Sequence, residues 1–328
     1  MIEYALGAQP PPPGALTGDL TLTWPYFCGA LFPCHSAPSD GSTFEVELSG
    51  VPAGQVAVFP AVIPEEAPAY MVAWAVGDYR RHDLGTTAAG TLVSVWAEPG
   101  DEARALRGAA RLRDVFEWYE QTLGAYPFGR HVGSVAVDWG AQGGYGGMEH
   151  HPYWHVARTA AEVEEVHAHE ASHGWFGNGV RIRCWEDFVL SEGLASYLAA
   201  RAIEAVEGPA AGEGIWTSYR ARLRRAAGAP GHAVSWPASC GQVDVLASLF
   251  SDRPYMEGAF FLRAVERRVG REGLDRALAE LYRSFRGRAA GMDDLLAGIR
   301  AQTGFDPTAC AEAWLRRDPL PADELCPP

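Results

Sequence analysis

Lysine is missing from this chain: all 27 side chains in the Lys+Arg count are arginine. Any catalytic-lysine or Schiff-base mechanism is therefore excluded. Positive charge as a whole is scarce, with 41 acidic residues and a formal net charge of −14. Phosphate backbones and anionic lipid need clustered cations, so neither nucleic acid nor a membrane surface fits as partner; an acidic field suits cationic ligands. No stretch of eighteen apolar residues occurs, so no membrane span is expected. The opening "MIEYALGAQPPPPG" has neither a basic region nor an apolar core, so no export signal is read and the expectation is a cytoplasmic protein. Cysteine numbers only six (Cys28, Cys34, Cys184, Cys240, Cys310, Cys326), and no CxxC occurs. That excludes zinc knuckles and thioredoxin motifs. Free thiols are the expectation, with Cys28 and Cys34 the pair spaced to bond if any does.

What is present is ample for folding. The 328 residues are 48% hydrophobic, enough for one large or two modest domains with a real core. Residues 1–97 alternate apolar and polar in short runs such as "TLTW", "STFEVELSG", "AYMVAWAVG" and "TLVSVWAEP", bounded by Gly and Pro, which read as strands. Residues 10–13, four prolines, read as a stiff exposed arm. From Asp101 the period becomes helical: Leu106, Ala109, Leu112, Phe116 and Tyr119 share one face. "GSVAVDW" adds a strand, and helices dominate thereafter. Thr159 and Glu162 have capping-box spacing before a helix through "VHAHEASHGWFGN". "EDFVLSEGLASYLAARAIEAV" is a second helix, and "DRPYMEGAFFLRAVERRVG" a third with Asp252 as N-cap. The fold class expected is α+β, a short β-domain (1–97) before a mainly helical domain (98–328).

The chemistry concentrates in His169-Glu170-Ala171-Ser172-His173. Positions i and i+4 of a helix share a face, so both imidazoles reach one ion, and Glu170 stands beside it as general base. Zinc takes imidazole nitrogen, wants three protein ligands and keeps one place open for water. Glu192, nineteen positions beyond His173 on the next helix, is the carboxylate able to complete the set. His167, two positions before the first ligand, faces away and is expected to be solvated or supportive. His150, His151 and His155 cluster without the carboxylate spacing that a second metal site needs.

"HEASHGWFGNGVRIRCWEDFVLSEGLASY" resembles the signature of the aminopeptidase N family of gluzincins: HExxH, eighteen residues, Glu, with WFGN and EG-x-A-x-Y. The resemblance runs from about residue 30 to the end. It implies one Zn²⁺ per chain on His169, His173 and Glu192, a thermolysin-like catalytic domain, and removal of N-terminal residues from peptides. "GGMEH" (146–150) is similar to the family's G-x-M-E-N. Glu149 would then hold the substrate's free amino group, with the Gly146, Gly147 and Met148 backbone along the peptide. "PYMEGAFFL" is similar to the segment carrying the catalytic tyrosine, which implies Tyr255 as oxyanion donor. Asp187 matches an aspartate expected to orient a ligand. Departures are His150 for asparagine and Glu257 for lysine, the latter bringing a negative charge toward Tyr255. The β-domain is short, and the family's large C-terminal helical domain has no counterpart here. An open cleft is the consequence, covered by a partner or by self-association. Two rivals stand beside the aminopeptidase: a zinc hydrolase of longer or non-peptide substrates, and a catalytically silent zinc-bound interaction module.

Overall fold

The computed structural model describes residues 14–17, 20–139, 146–227, 234–245, 250–321 and 324–327; the proline run at 10–13 lies outside them. The strands are β1 (Gly14–Thr17), β2 (Leu20–Thr23), β3 (Ser42–Glu45), β4 (Val56–Val58), β5 (Val62–Ala67), β6 (Ala75–Gly77), β7 (Arg80–Thr86), β8 (Leu92–Ala97), β9 (His131–Val137), β10 (Gly147–Met148), β11 (Tyr153–Ala157), β12 (Arg181–Ile182) and β13 (Ala289–Ala290). The helices are α1 (Glu102–Gly108), α2 (Leu112–Leu123), α3 (Glu164–Ser172), α4 (Phe188–Glu207), α5 (Pro209–Ala227), α6 (Asp252–Val269), α7 (Arg271–Phe285), α8 (Met292–Thr303) and α9 (Thr308–Leu315). A small β-rich part precedes a mainly helical one, the α+β organisation expected.

Strand pairing does not respect a break after residue 97. A small sheet runs β1-β2-β6-β4, and β3 pairs β5. The five-stranded sheet runs β10-β11-β9-β8-β7, so β8, which ends at Ala97, sits between β7 and β9. Alternation shows that a segment is a strand; it does not show its partner, and β7 and β8 belong by pairing with the later strands. β9 is flanked by two parallel neighbours and buried along nearly its whole length, hence its apolar run. Among the described residues β10 is a two-residue edge strand, antiparallel to β11 on one side only.

Three local expectations change. The segment from Asp101 forms two helices, because the chain breaks at 109–111. α3 starts at Glu164 with Val163 as N-cap and no side-chain cap; Glu162, the supposed capping partner, instead accepts a hydrogen bond from Arg107 Nε at 2.7 Å. α6 starts at Asp252 with Ser251 as N-cap, and Asp252 binds Arg222. The cysteines are also corrected. All six pair, as Cys28–Cys34, Cys184–Cys240 and Cys310–Cys326, with Cα separations of 6.1, 5.8 and 4.7 Å. The middle bond joins residues 56 positions apart, which spacing alone does not reveal.

The core gathers under α3 and around α4. Phe116, Tyr119, Tyr126, Trp154 and Trp175 pack ring against ring. From this cluster Tyr119 Oη donates to the Ala168 carbonyl of α3 at 2.9 Å, and Trp175 Nε1 to the Gly124 carbonyl at 2.8 Å. α4 is buried on every side from Phe188 to Ile203, so Glu192 enters an apolar helix and requires a counter-charge there. Where α4 crosses α6, Gly193 meets Gly258: a Cβ on Gly193 would lie 2.7 Å from the Gly258 Cα, and one on Gly258 2.6 Å from the Gly193 Cα. The glycines let two backbones touch, and they bring Glu192 and Tyr255 to one crossing.

Candidate metal centre and substrate cleft

His169 and His173 lie one turn apart at the end of α3, and Glu192 comes to them from α4. His169 Nε2 is 3.1 Å from Glu192 Oε2 and 3.2 Å from His173 Nε2; His173 Nε2 is 3.4 Å from the same carboxylate oxygen. The three donor atoms thus converge on one point. The remaining imidazole nitrogens set the tautomers. His173 Nδ1 faces the Phe176 carbonyl at 3.0 Å, and a carbonyl only accepts, so Nδ1 carries the proton and Nε2 offers its lone pair. His169 Nδ1 faces Ser196 Oγ at 3.5 Å. Two neutral imidazoles and a carboxylate, buried and converging, are the donor set zinc takes in hydrolases, so the residues fit that ion.

Electrostatics makes the same demand. Burial alone would lower the His173 pKa, but Glu192, Glu149 and Glu170 outweigh it and raise it. Burial works to raise Glu192, yet His173 and His169 pull it below the carboxylate range. Glu170 is raised by burial first and then, against His173, by Glu149 and Glu192. Three buried carboxylates share scant positive charge, and a divalent cation supplies what is missing.

Glu170 points toward β10. A Cβ on Gly147 would stand 2.4 Å from Glu170 Oε1 and 2.5 Å from its Cγ, so only glycine lets the edge strand pass so close. His151 fixes the backbone beneath: its Nε2 donates to the Glu170 carbonyl at 2.8 Å, and Tyr126 Oη donates to its Nδ1 at 2.8 Å. Glu149 comes directly after β10 and is 4% exposed. Asn178 Nδ2 donates to its backbone carbonyl at 2.7 Å, and Tyr70 hydrogen-bonds its carboxylate. Among the described residues, Glu149 Oε1 has no partner. Burial raises its pKa, opposed by His173 and reinforced by Glu192. Tyr255 places its ring 5.9 Å from that of His169, nearly parallel at 20°. Gly146, Gly147, Met148, Glu149, His169, Glu170, His173, Glu192 and Tyr255 line one cleft of about 400 Å³, with Trp24, Pro25, Glu165, Val166, Arg222, Phe250, Ser251 and Asp252.

Other expectations resolve differently. Glu257 does not face Tyr255's side of the helix: Arg253 Nε donates to its Oε1 at 2.6 Å and Ser235 Oγ to its Oε2 at 2.5 Å, so its charge is answered away from the cleft. Among the described residues, Asp187 makes no hydrogen bond to any of the three ligands. Its Oδ1 accepts from Met292 N at 3.0 Å and caps α8, so its alignment with an orienting aspartate is not matched by its contacts. His167 is 1% exposed, not solvated, and is clamped between Ser134 Oγ and the Ala161 carbonyl at 2.9 Å each. His150 Nδ1 meets the Tyr70 carbonyl at 3.1 Å, and its ring lies edge-on to His155. The histidine cluster thus braces the strand carrying Glu149. Sequence reasoning missed Tyr70, which sits in a short turn far upstream, and Glu165, whose place one turn before His169 was the available signal.

A mainly helical domain that presents HExxH and a following-helix glutamate in one cleft defines the gluzincin type of metal site. The chain belongs to peptidase family M1: residues 147–314, about half its length, match the Peptidase family M1 domain. It is similar to "Aminopeptidase M1-B" of Oryza sativa, 28% identical over 325 residues, covering 88% of this chain and 36% of that protein. It is also similar to "Leucine aminopeptidase 2-1" of Meyerozyma guilliermondii, 27% identical over 290 residues, covering 78% and 43%. The chain therefore spans about a third to two-fifths of these relatives' length. In fold it matches a mutant M1 zinc metallopeptidase from Deinococcus radiodurans bound to a Tyr-Ser-Ala substrate, at TM-score 0.76 and 20% identity, covering 100% of this chain and 75% of the other.

Proposed function

We propose that the protein is a zinc-dependent aminopeptidase removing N-terminal residues from peptides. The observation that carries this reading is the bare Glu149 oxygen, buried in the same cleft as His169, His173 and Glu192. A buried carboxylate without a partner is costly unless a cation arrives, and a peptide's terminal ammonium is the cation that would explain its place beside a hydrolytic centre. His169, His173 and Glu192 would hold zinc, which when bound would supply Lewis acidity toward the scissile carbonyl and lower the pKa of the attacking water. Glu170 accepts that water's proton and delivers it to the leaving amine. Tyr255 donates from its phenol to the developing oxyanion. Glu149, steadied by Tyr70 and Asn178, holds the ammonium, and the free edge of Gly146-Gly147-Met148 lines up the peptide by strand addition.

Relatives named aminopeptidase, and a fold neighbour holding Tyr-Ser-Ala, support the substrate class. Among the described residues no helix is long and apolar enough to cross a membrane. Disulfides persist outside the reducing cytosol, so three of them favour an oxidising compartment over the cytoplasmic one expected. The test compares free and N-acetylated peptides on the zinc-loaded protein, with and without chelator. Free peptides should be cut, acetylated ones spared, and chelation should abolish turnover until zinc is restored. Equal cleavage of acetylated peptides would remove Glu149 from its role.

A further inference from the structure

We infer that Glu165, with Arg222 and Asp252, forms the pocket for the side chain just after the scissile bond and selects a basic residue there over an acidic one. This preference presupposes the aminopeptidase reading. The register comes from β10. With the amino group at Glu149, a peptide paired to the free edge of this strand runs back from Met148 toward Gly146, because no strand continues beyond Met148 in the other direction. Gly147 lies against Glu170, whereas Gly146 lies against Val166, with a Cβ position 3.7 Å from its Cγ2. Moving from the amine to the leaving group thus means moving one turn back along α3, from Glu170 to Val166 and its neighbour Glu165. α4 gives the same direction. Phe188, one turn before Glu192, packs on Phe250. The carbonyl of Ser196, one turn after it, lies 3.1 Å from Tyr219 Oη, which donates its proton to Glu165 Oε1 at 2.6 Å. Glu165 therefore lies toward Ser196, one turn along α4 from Glu192.

The sign of the preference is set by which valences are spent. Arg222 sits over the Tyr219 ring, its carbon 5.8 Å from the centroid, and gives both Nε and Nη2 to Asp252 Oδ1 at 3.1 and 2.7 Å. Glu165 spends only Oε1, on Tyr219. Glu165, Arg222 and Asp252 all line the cleft, and among the described residues neither Glu165 Oε2 nor Asp252 Oδ2 has a hydrogen-bond partner. Two negative charges against one positive attract a guanidinium or ammonium and repel a carboxylate.

The test uses the zinc-loaded protein and the amides Leu-Arg-NH₂, Leu-Ala-NH₂ and Leu-Glu-NH₂, in which no terminal carboxylate competes. The kcat/KM values should fall in the order Arg, Ala, Glu, with about tenfold or more between the extremes at low salt. In Glu165→Gln the Arg-to-Glu ratio should shrink to within about threefold, and added salt should compress it in the wild type. Affinities of the same amides for the zinc-loaded Glu170→Gln variant, by calorimetry, read the preference without turnover. Failure of the wild type to cut any amide overturns the aminopeptidase reading. Equal or absent binding of the Arg and Glu amides, a preference for Glu, or a ratio untouched in Glu165→Gln overturns this inference.

Discussion

At the scale of the residue, the site depends on side chains that are each held by something other than the metal. The His173 tautomer is set by the Phe176 carbonyl, the Glu170 backbone by His151, and the Glu149 backbone by Asn178. Such bracing means that removing one function should leave the others standing. In the proposed chemistry Glu170 is the base and not a ligand: its carboxylate lies toward Gly147, while His169, His173 and Glu192 form a donor group without it. Glu170→Gln should therefore keep its zinc, measured by metal analysis, while kcat falls by about 10²- to 10⁴-fold, the usual weight of a general base. Loss of metal together with activity would show that Glu170 shapes the metal centre itself. His169, Glu170 and His173 were legible in sequence because spacing along one helix is local information, whereas the roles of Glu149 and Tyr255 rested on the family resemblance. Tyr70 was not, since its contact with Glu149 is made by folding; nor was the fate of Glu257, whose partner Ser235 lies on a segment with no helical or strand signal.

At the scale of the element, the crossing of α4 and α6 decides how Glu192 and Tyr255 meet. Sequence showed both helices and both glycines, but periodicity does not say which helices touch. The Gly193–Gly258 contact leaves no room for a methyl group, since the obstacle is backbone and cannot rotate away. Gly193→Ala should cost about 1–3 kcal/mol, the range for overpacking in a tight core, and should depress activity beyond that loss by moving Glu192. Denaturant unfolding reads the first and metal affinity the second. Gly298→Ala in α8 is the control: nothing lies within 4 Å of its Cβ position, so the gain in helix propensity should leave stability equal or slightly raised. A neutral Gly193→Ala would mean that the two backbones stand further apart at this crossing. The strands carry the complementary lesson. Alternation located β7 and β8, yet a domain break at residue 97 separated them from the sheet they complete.

At the scale of the whole molecule, three disulfides tie distant or looping segments together, and Cys28 and Cys310 are themselves buried in the core. Cys184–Cys240 joins the approach to α4 to a loop, and Cys310–Cys326 pins the C-terminal stretch to α9. Composition suggested free thiols, because six cysteines without CxxC say nothing of who meets whom. Denatured protein treated with iodoacetamide should take up no label without reductant and six labels after it, counted by intact mass. Labelling before reduction would restore the free-thiol reading and with it the cytoplasmic assignment.

The strand that would receive a peptide is only Gly147–Met148 long. A ladder so brief reads the start of any chain and then runs out of rungs. Substrates of differing length would look alike to it past their first two residues, and discrimination would have to come from side-chain chemistry at the very tip. On the proposed reading, such a strand would measure position from the end and be blind to the remainder of the chain.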